Sequence, residues 1–274
     1  MASSHLVHMA GRYVHNVRKT VYDTRMDAAA SGSQAVDRAL TILGFFDEGL
    51  TELTVADAAA RLGVHRSTAS RLLAALERHG LLEGTSAGYR LGLRVVSLAG
   101  LVLNRFPARA IARDVLGELR DATEETAYLG LLDGQEVVYI DQASSPHVTV
   151  NVDWVGYRQS LTAGATGFLL LAYQVPAVIE ELLRNPAGTD GPPVPSELEL
   201  AAIRRRGYLM RIGDGAEGGA GVAAPIRDHR GATVAAISVW GPRHRVEHRL
   251  ESEIVPAVLR AADRVSEGLG YRAA

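Results

Sequence analysis

The segment Arg66 to His79 constrains this chain more than any other. Ala69, Leu72, Leu73 and Leu76 recur at three and four residues and form one apolar stripe, while Arg66, Ser67, Thr68, Ser70 and Arg71 fall off it at the N-terminal end. Such a helix must bury one side and present a short basic, hydroxylated edge at its start. Gly80 ends it. Before it stand the turn Gly63-Val64-His65 and the string Thr54-Val55-Ala56-Asp57, which has the form of a capping box. The capping box predicts a short helix carrying Val55, Ala59 and Leu62 up to Gly63. Further upstream Ser33 can cap a helix whose stripe is Val36, Leu40, Leu43 and Phe46. Downstream, Leu81-Leu82-Glu83 and Tyr89-Arg90-Leu91 flank the Gly-bounded loop 84–88 and read as a hairpin. Three helices followed by a hairpin predict a winged helix-turn-helix over residues 33–93.

Charge separates this block from the rest. Residues 61–94 hold Arg61, Arg66, Arg71, Arg78, Arg90 and Arg94 against Glu77 and Glu83, whereas residues 95–274 hold 18 basic and 22 acidic residues. An anionic partner is expected at the first block. The whole chain of 274 residues has a net charge of -2, which excludes a uniformly basic coat protein. With no Cys there is no disulfide framework, thiolate zinc site, Cys nucleophile or iron-sulfur cluster, and a reducing cytoplasm fits. The longest apolar run, Val95 to Leu103, is about half of a bilayer crossing, so no membrane role is expected. Residues 1–32 lack regular apolar spacing and read as a disordered arm.

Arg94 to Arg105 is helical and apolar on more than one face, and such a helix must be buried against a partner. It is read as a linker over residues 94–107, ended by Pro107. Residues 108–274 form the second domain. There Ile111, Val115, Leu116 and Leu119 mark an amphipathic helix, followed by a hairpin of Tyr128 to Leu132 and Val137 to Ile140 about the turn Asp133-Gly134. A strand is expected over Val148 to Val152, and helices over Ala165 to Tyr173, Ala177 to Arg184 and Glu197 to Arg206. Val222 to Ile226 and Thr233 to Trp240 make a second hairpin, and Glu251 to Leu269 a closing helix. Strands and helices do not alternate, so this half is an α+β domain with an antiparallel sheet.

Several strings in this order resemble the IclR family of bacterial transcriptional regulators. Ala35 to Leu43 resembles its first helix, Arg66-Ser67-Thr68-Ala69-Ser70-Arg71-Leu72-Leu73 its recognition helix, and Tyr89-Arg90-Leu91-Gly92 the end of its wing. Val222-Ala223-Ala224-Pro225-Ile226 and Ala235 to Pro242 are similar to its late strands. The resemblance implies an N-terminal winged helix, a linker helix and a C-terminal GAF/PAS-like effector-binding domain. It also implies dimers or tetramers on palindromic operators, most often acting as repressors, with no cofactor. The effector site it implies comprises Asn151, Trp154, Ala165, Thr166, Arg211, Gly221, Ser238 and Trp240. Here the chain departs from the family pattern. Arg211 stands where Asp or Ser is frequent, Gly221 where a small residue or Cys is usual, and Gly167-Phe168-Leu169 replaces a frequent Gly-Lys-Ala. An Arg facing a pocket favours a carboxylate or phosphate, because its donor fork matches a planar anion. On this reading Trp154 and Trp240 supply flat apolar walls, whereas plain core tryptophans and a solvated Arg211 would leave the site elsewhere.

A recognition helix puts its N-terminal end into the major groove, where Arg66 or Arg71 can pair with guanine and Ser67, Thr68 and Ser70 can reach phosphate or base edges. His65 occupies a cap position where Ser or Thr is commoner, so an imperfect cap and a phosphate contact are expected of it. Thr85, Ser86 and Arg90 on the wing would meet the neighbouring backbone. One helix reads only a few base pairs, and a twofold dimer seamed by the linker helix doubles the contact. Two strings suggest enzymes instead. Gly213 to Gly218 matches G-x-G-x-x-G, but a Pro-containing strand follows it and not a helix. His244-Arg245-Val246-Glu247-His248 matches H-x-x-E-H and supports the alternative of a metal-dependent hydrolase with a DNA-binding appendage, although every later acidic residue is too local for a separate third ligand.

Overall fold

The computed structural model describes residues 34–46, 49–147, 153–177, 179–180, 195–213 and 218–272. The arm expected over residues 1–32 and the strand expected over Val148 to Val152, with Asn151, lie outside the described residues, as does most of the helix expected over Ala177 to Arg184. The chain divides between Arg105 and Phe106 into two compact units.

The first unit contains α1 (Gln34–Leu43), α2 (Val55–Leu62), α3 (Arg66–Arg78), β1 (Leu82–Gly84), β2 (Tyr89–Leu91) and α4 (Arg94–Leu103). Thr54 caps α2 by accepting from the Asp57 amide at 3.1 Å, and Gly63 closes it at φ 62°. The buried side of α3 is Ala69, Leu72, Leu73 and Leu76, the stripe that the spacing predicts. These residues join Ile42, Leu53, Ala58, Ala59 and Leu82 in one core, in which each fully buried leucine contributes roughly 2 kcal/mol of transfer free energy. Leu53 pairs with Tyr89 through reciprocal backbone hydrogen bonds of 2.8 and 3.0 Å, adding a third chain to the β1–β2 hairpin. Gly88 is required there, since a Cβ would lie 2.6 Å from the Leu53 carbonyl oxygen.

One expectation for this unit needs correction. On α1 the expected stripe placed Val36 and Leu40 inward, yet both are exposed and the buried residue is Ile42, backed by Ala39, Leu43 and Phe46. The helix carries two overlapping apolar stripes, and periodicity alone cannot choose between them. The apolar α4 has no residue buried by the described chain, with Val96 66% and Leu101 68% exposed.

The second unit is a six-stranded antiparallel sheet in the order β5-β4-β3-β8-β7-β6. Its elements are α5 (Pro107–Thr123), β3 (Thr126–Asp133), β4 (Glu136–Ala143), β5 (Arg158–Ser160), α6 (Gly164–Ala172), α7 (Glu197–Arg206), β6 (Leu209–Ile212), β7 (Gly219–Arg227), β8 (Thr233–Pro242) and α8 (Arg243–Val246). A 3-10 turn (Glu247–Arg249) and a π turn (Leu250–Ile254) then lead into α9 (Val255–Gly268). Pro107 opens α5, where a missing N–H costs nothing. The β3–β4 loop is Gly134-Gln135, one residue beyond the expected pair, with Gly134 at φ 63°. Strand β5 carries no apolar alternation. It is held by Arg158, whose guanidinium reaches Glu136 at 2.7 Å and Asp133 at 2.5 Å, a tertiary cause that the local pattern did not show.

Because side chains alternate along a strand, each strand of the sheet divides its residues between two faces. Helices α5 and α9 cover the face bearing Leu129, Ile237, Val239 and Val222, and α6 packs on the other. At the edge of this core Glu125 is buried and receives both Arg245 nitrogens at 2.7 Å, directly beneath Gly241, where a Cβ would fall 2.4 Å from its carboxylate. Hydrogen bonding from that carboxylate holds the Arg245 guanidinium above its ordinary pKa. Removing one partner would leave a buried charge unpaired. We expect Arg245→Met to lower stability by about 3 kcal/mol in urea unfolding, the low end for a buried pair because the guanidinium is partly exposed. A loss below about 0.5 kcal/mol would show that Glu125 is solvated.

Candidate DNA interface and effector site

The N-terminal turn of α3 is built by residue 65. His65 adopts an extended backbone (φ -67°, ψ 146°), and its Nδ1 accepts from the Ser67 amide at 3.3 Å and lies 2.9 Å from Ser67 Oγ. The expectation of an imperfect cap is therefore corrected: the imidazole nitrogen serves as the acceptor that a Ser or Thr hydroxyl usually provides. This arrangement fixes the first turn with Arg66, Ser67, Ser70 and Arg71 exposed and Thr68 partly so. At the far end of α3, Glu77 accepts from the Gly84 amide at 3.2 Å and ties the helix to the wing.

On the wing, Thr85 Oγ1 accepts from the amides of Ala87 (3.2 Å) and Gly88 (3.0 Å), so this hydroxyl shapes the loop. Ser86 is exposed. Arg90 makes a two-pronged contact with Glu83, at 3.2 and 3.1 Å, and this hydrogen bonding raises its pKa above the ordinary guanidinium value. It is paired within the wing.

In the second unit, sheet register gathers the expected effector residues. Arg211 pairs with Gly221, Gly221 with Trp240 and Trp240 with Thr126, so one rung crosses four strands with every side chain on the α6 face. The next rung on that face runs Leu209, Ala223, Ser238, Tyr128 and Gln142. Thr166 of α6 donates to Ser238 Oγ at 3.0 Å, and both are buried. Ala165 precedes it in the first turn of α6. The Arg211 guanidinium lies 4.3 Å above the Phe168 ring, also from α6. Trp240 is 51% exposed and lies across Gly219 and Gly221, since a Cβ at Gly219 would sit 1.9 Å from the indole. Trp154 stands edge-on to Tyr157 at 4.5 Å and to Tyr128 at 6.4 Å.

The result is a sheet face with a low floor of Gly, Ala and Ser, one guanidinium, one half-open indole and an aromatic wall. Sequence reasoning missed Thr126, Tyr128, Tyr139, Tyr157, Phe168 and Gly219. The spacing predicted the strand containing Tyr128, but only its pairing with Ser238 shows which face that residue occupies. Burial pushes the Tyr128 phenol far above its usual pKa, so it stays a protonated donor beside Thr126.

The two enzyme motifs do not build sites. Gly213 and Gly219 close the β6–β7 turn through a 2.8 Å backbone bond, a strand follows, and positions 214–217 lie outside the described residues. Glu247 is held by Arg243 at 2.7 and 2.9 Å, and among the described residues no three His, Asp or Glu side chains gather as a metal site. No single described helix is long and apolar enough to cross a membrane.

Comparison with known proteins finds two matching domains. The IclR helix-turn-helix domain matches residues 35–86, and the bacterial transcriptional regulator IclR C-terminal domain matches residues 100–267. The chain is 31% identical to the HTH-type transcriptional regulator XynR of Escherichia coli over 88% of its own length and 98% of that protein. It is 32% identical to the glycerol operon regulatory protein of Streptomyces coelicolor, over 88% and 98% of the two chains. Among solved structures, Thermotoga maritima IclR superposes with a TM-score of 0.69 at 29% identity, covering 86% of this chain and 98% of that one. An IclR homolog from Microbacterium hydrocarbonoxydans complexed with 4-hydroxybenzoate superposes with a TM-score of 0.70 at 28% identity, covering 86% and 99%. These are transcriptional regulators, not enzymes, and the hydrolase alternative has no support. The chain belongs to the IclR family: a transcriptional regulator with a helix-turn-helix DNA-binding domain and a C-terminal effector-binding domain.

Proposed function

We propose that the protein reads a palindromic operator in the cytoplasm as a homodimer or homotetramer, under the control of a small carboxylate held beside Arg211 and Trp240. The observation that carries the DNA half is the first turn of α3, where a capped helix start leaves Arg66, Ser67, Ser70 and Arg71 facing outward together. Backbone N–H groups and hydroxyls at such an end suit phosphate, and either arginine suits guanine. Thr68 and His65 flank that turn, and Thr85, Ser86 and Arg90 extend the contact to the neighbouring backbone, with Arg90 exchanging Glu83 for phosphate. The exposed apolar surface of α4 supports self-association, because an isolated helix of that composition is a poor surface to leave in water. A second copy also supplies the second reading helix that a palindrome needs.

The rung Arg211–Gly221–Trp240 carries the effector half. A planar carboxylate fits the guanidinium fork, and an aromatic body fits the indole and the glycine floor. Thr166 and Ser238 supply hydroxyls at its side, and the similar protein that holds 4-hydroxybenzoate supports an aromatic acid as the first compound to test. Trp154, Ala165 and Asn151 complete the proposed lining.

Two measurements follow. Against a duplex that the protein selects from random sequence, Arg66→Ala plus Arg71→Ala should weaken specific binding by about 2–6 kcal/mol in fluorescence anisotropy, at one to three per base-reading arginine. Unchanged affinity would remove both residues from the interface. In a thermal-shift series with 4-hydroxybenzoate and other small aromatic and sugar acids, a true effector at about one hundred times its Kd should add about 2.7 kcal/mol of stability. Arg211→Ala should abolish that shift, and an identical shift in the variant would place the anion elsewhere.

A further inference from the structure

Resting on the assignment of the α6 face as the effector site, we propose that Arg109 is a positioning residue that couples the wall of that site to the first turn of α5, the helix through which the chain enters the effector-binding domain. Strand β4 contains a bulge. Leu129 pairs with Asp141 and Gly130 with Tyr139, so Ile140 is the extra residue. The aromatic wall hangs from both sides of this bulge. Before it, the Tyr139 amide donates to the Tyr157 carbonyl at 3.0 Å and the Tyr139 carbonyl accepts from the Gly156 amide at 2.7 Å. After it, Gln142 Oε1 accepts from the Trp154 amide at 3.0 Å.

The bulge is gripped from the opposite face of the sheet. Arg109 Nε donates to the Ile140 carbonyl at 3.0 Å and lies 3.2 Å from Asp141 Oδ2. Both side chains are largely enclosed, Arg109 at 24% and Asp141 at 14% exposure. A bulge bends the strand and re-aims the side chains beside it, so the Ile140 carbonyl held by Arg109 stands between the aromatic wall and the first turn of α5. Arg109 is the third residue of α5, and only Phe106 separates that helix from Arg105, the last residue of the first unit. A shift of the bulge carbonyl therefore reaches the linker end of the domain without crossing the rest of the core. Arg113 stands 3.9 Å from Asp141 Oδ2 and is mostly exposed. It leaves Asp141 with a nearby cation when Arg109 is replaced, so the fold should survive while the grip on Ile140 is lost.

Coupling between two binding sites is reciprocal, so DNA must act on the effector wall as the effector acts on DNA. The test is amide hydrogen exchange at Tyr139, Gly156 and Tyr157 in the full-length protein, with and without the selected duplex. Wild type should change its exchange at these amides when it binds DNA, a shift in the local opening of the wall. Arg109→Gln should bind the duplex with wild-type affinity and lose most of that change. Should Arg109→Gln prove too unstable to purify, Arg109→Met, which keeps the enclosed stem but has no donor for the Ile140 carbonyl, carries the same expectation. A variant that responds as fully as wild type, or a wild type whose wall does not respond to DNA, overturns the proposal. A wild type that gives no thermal shift with any carboxylate instead overturns the ligand class, and the DNA-driven exchange still judges Arg109.

Discussion

Alternation between large and absent side chains on the central strands is the constraint on which the effector half of this protein depends. Strand β7 turns Ala220, Val222, Ala224 and Ile226 toward one face of the sheet and Gly221, Ala223 and Pro225 toward the other. The first set packs beneath α9. The second lies on the α6 side, where Trp240 stretches across the glycines with half of its surface open. One strand thus serves a core and the proposed site at once, because successive residues point in opposite directions. Larger residues at Gly219 or Gly221 would collide with the indole or with the Val239 carbonyl.

The DNA-reading half rests on a different economy of space. A helix of 13 residues commits four side chains to the core and leaves its first turn to be organised by a single imidazole. Since His65 occupies the cap, the outward Arg66, Ser67, Ser70 and Arg71 sit at a helix start with one of its free N–H groups satisfied. The wing is ordered by the same kind of local bond, with Thr85 closing its loop and Glu77 anchoring it to the helix.

Much of this was legible from the residues. The stripe of α3, the Thr54 cap of α2, the Gly63 stop and the range of α7 follow from spacing and cap chemistry, which act within a few residues. Failures occurred where a choice depended on distant partners. On α1 the apolar residues allow two faces, and the position of the core selects Ile42 over Val36 and Leu40. Strand β5 has no pattern of its own and exists because Arg158 meets Asp133 and Glu136. The family resemblance places Arg211, Gly221 and Trp240 in one site, yet nothing in their spacing says that they form one rung.

The sequence by itself determined the helices of the reading head, the antiparallel character of the second domain and the segregation of positive charge into residues 61–94, because periodicity, caps and composition are local quantities. Tertiary structure alone decided which face each strand residue takes, where the bulge at Ile140 falls and which distant arginine grips it. Register is the physical reason: a one-residue slip exchanges every side chain between the two faces, and only pairing with strands far along the chain excludes it.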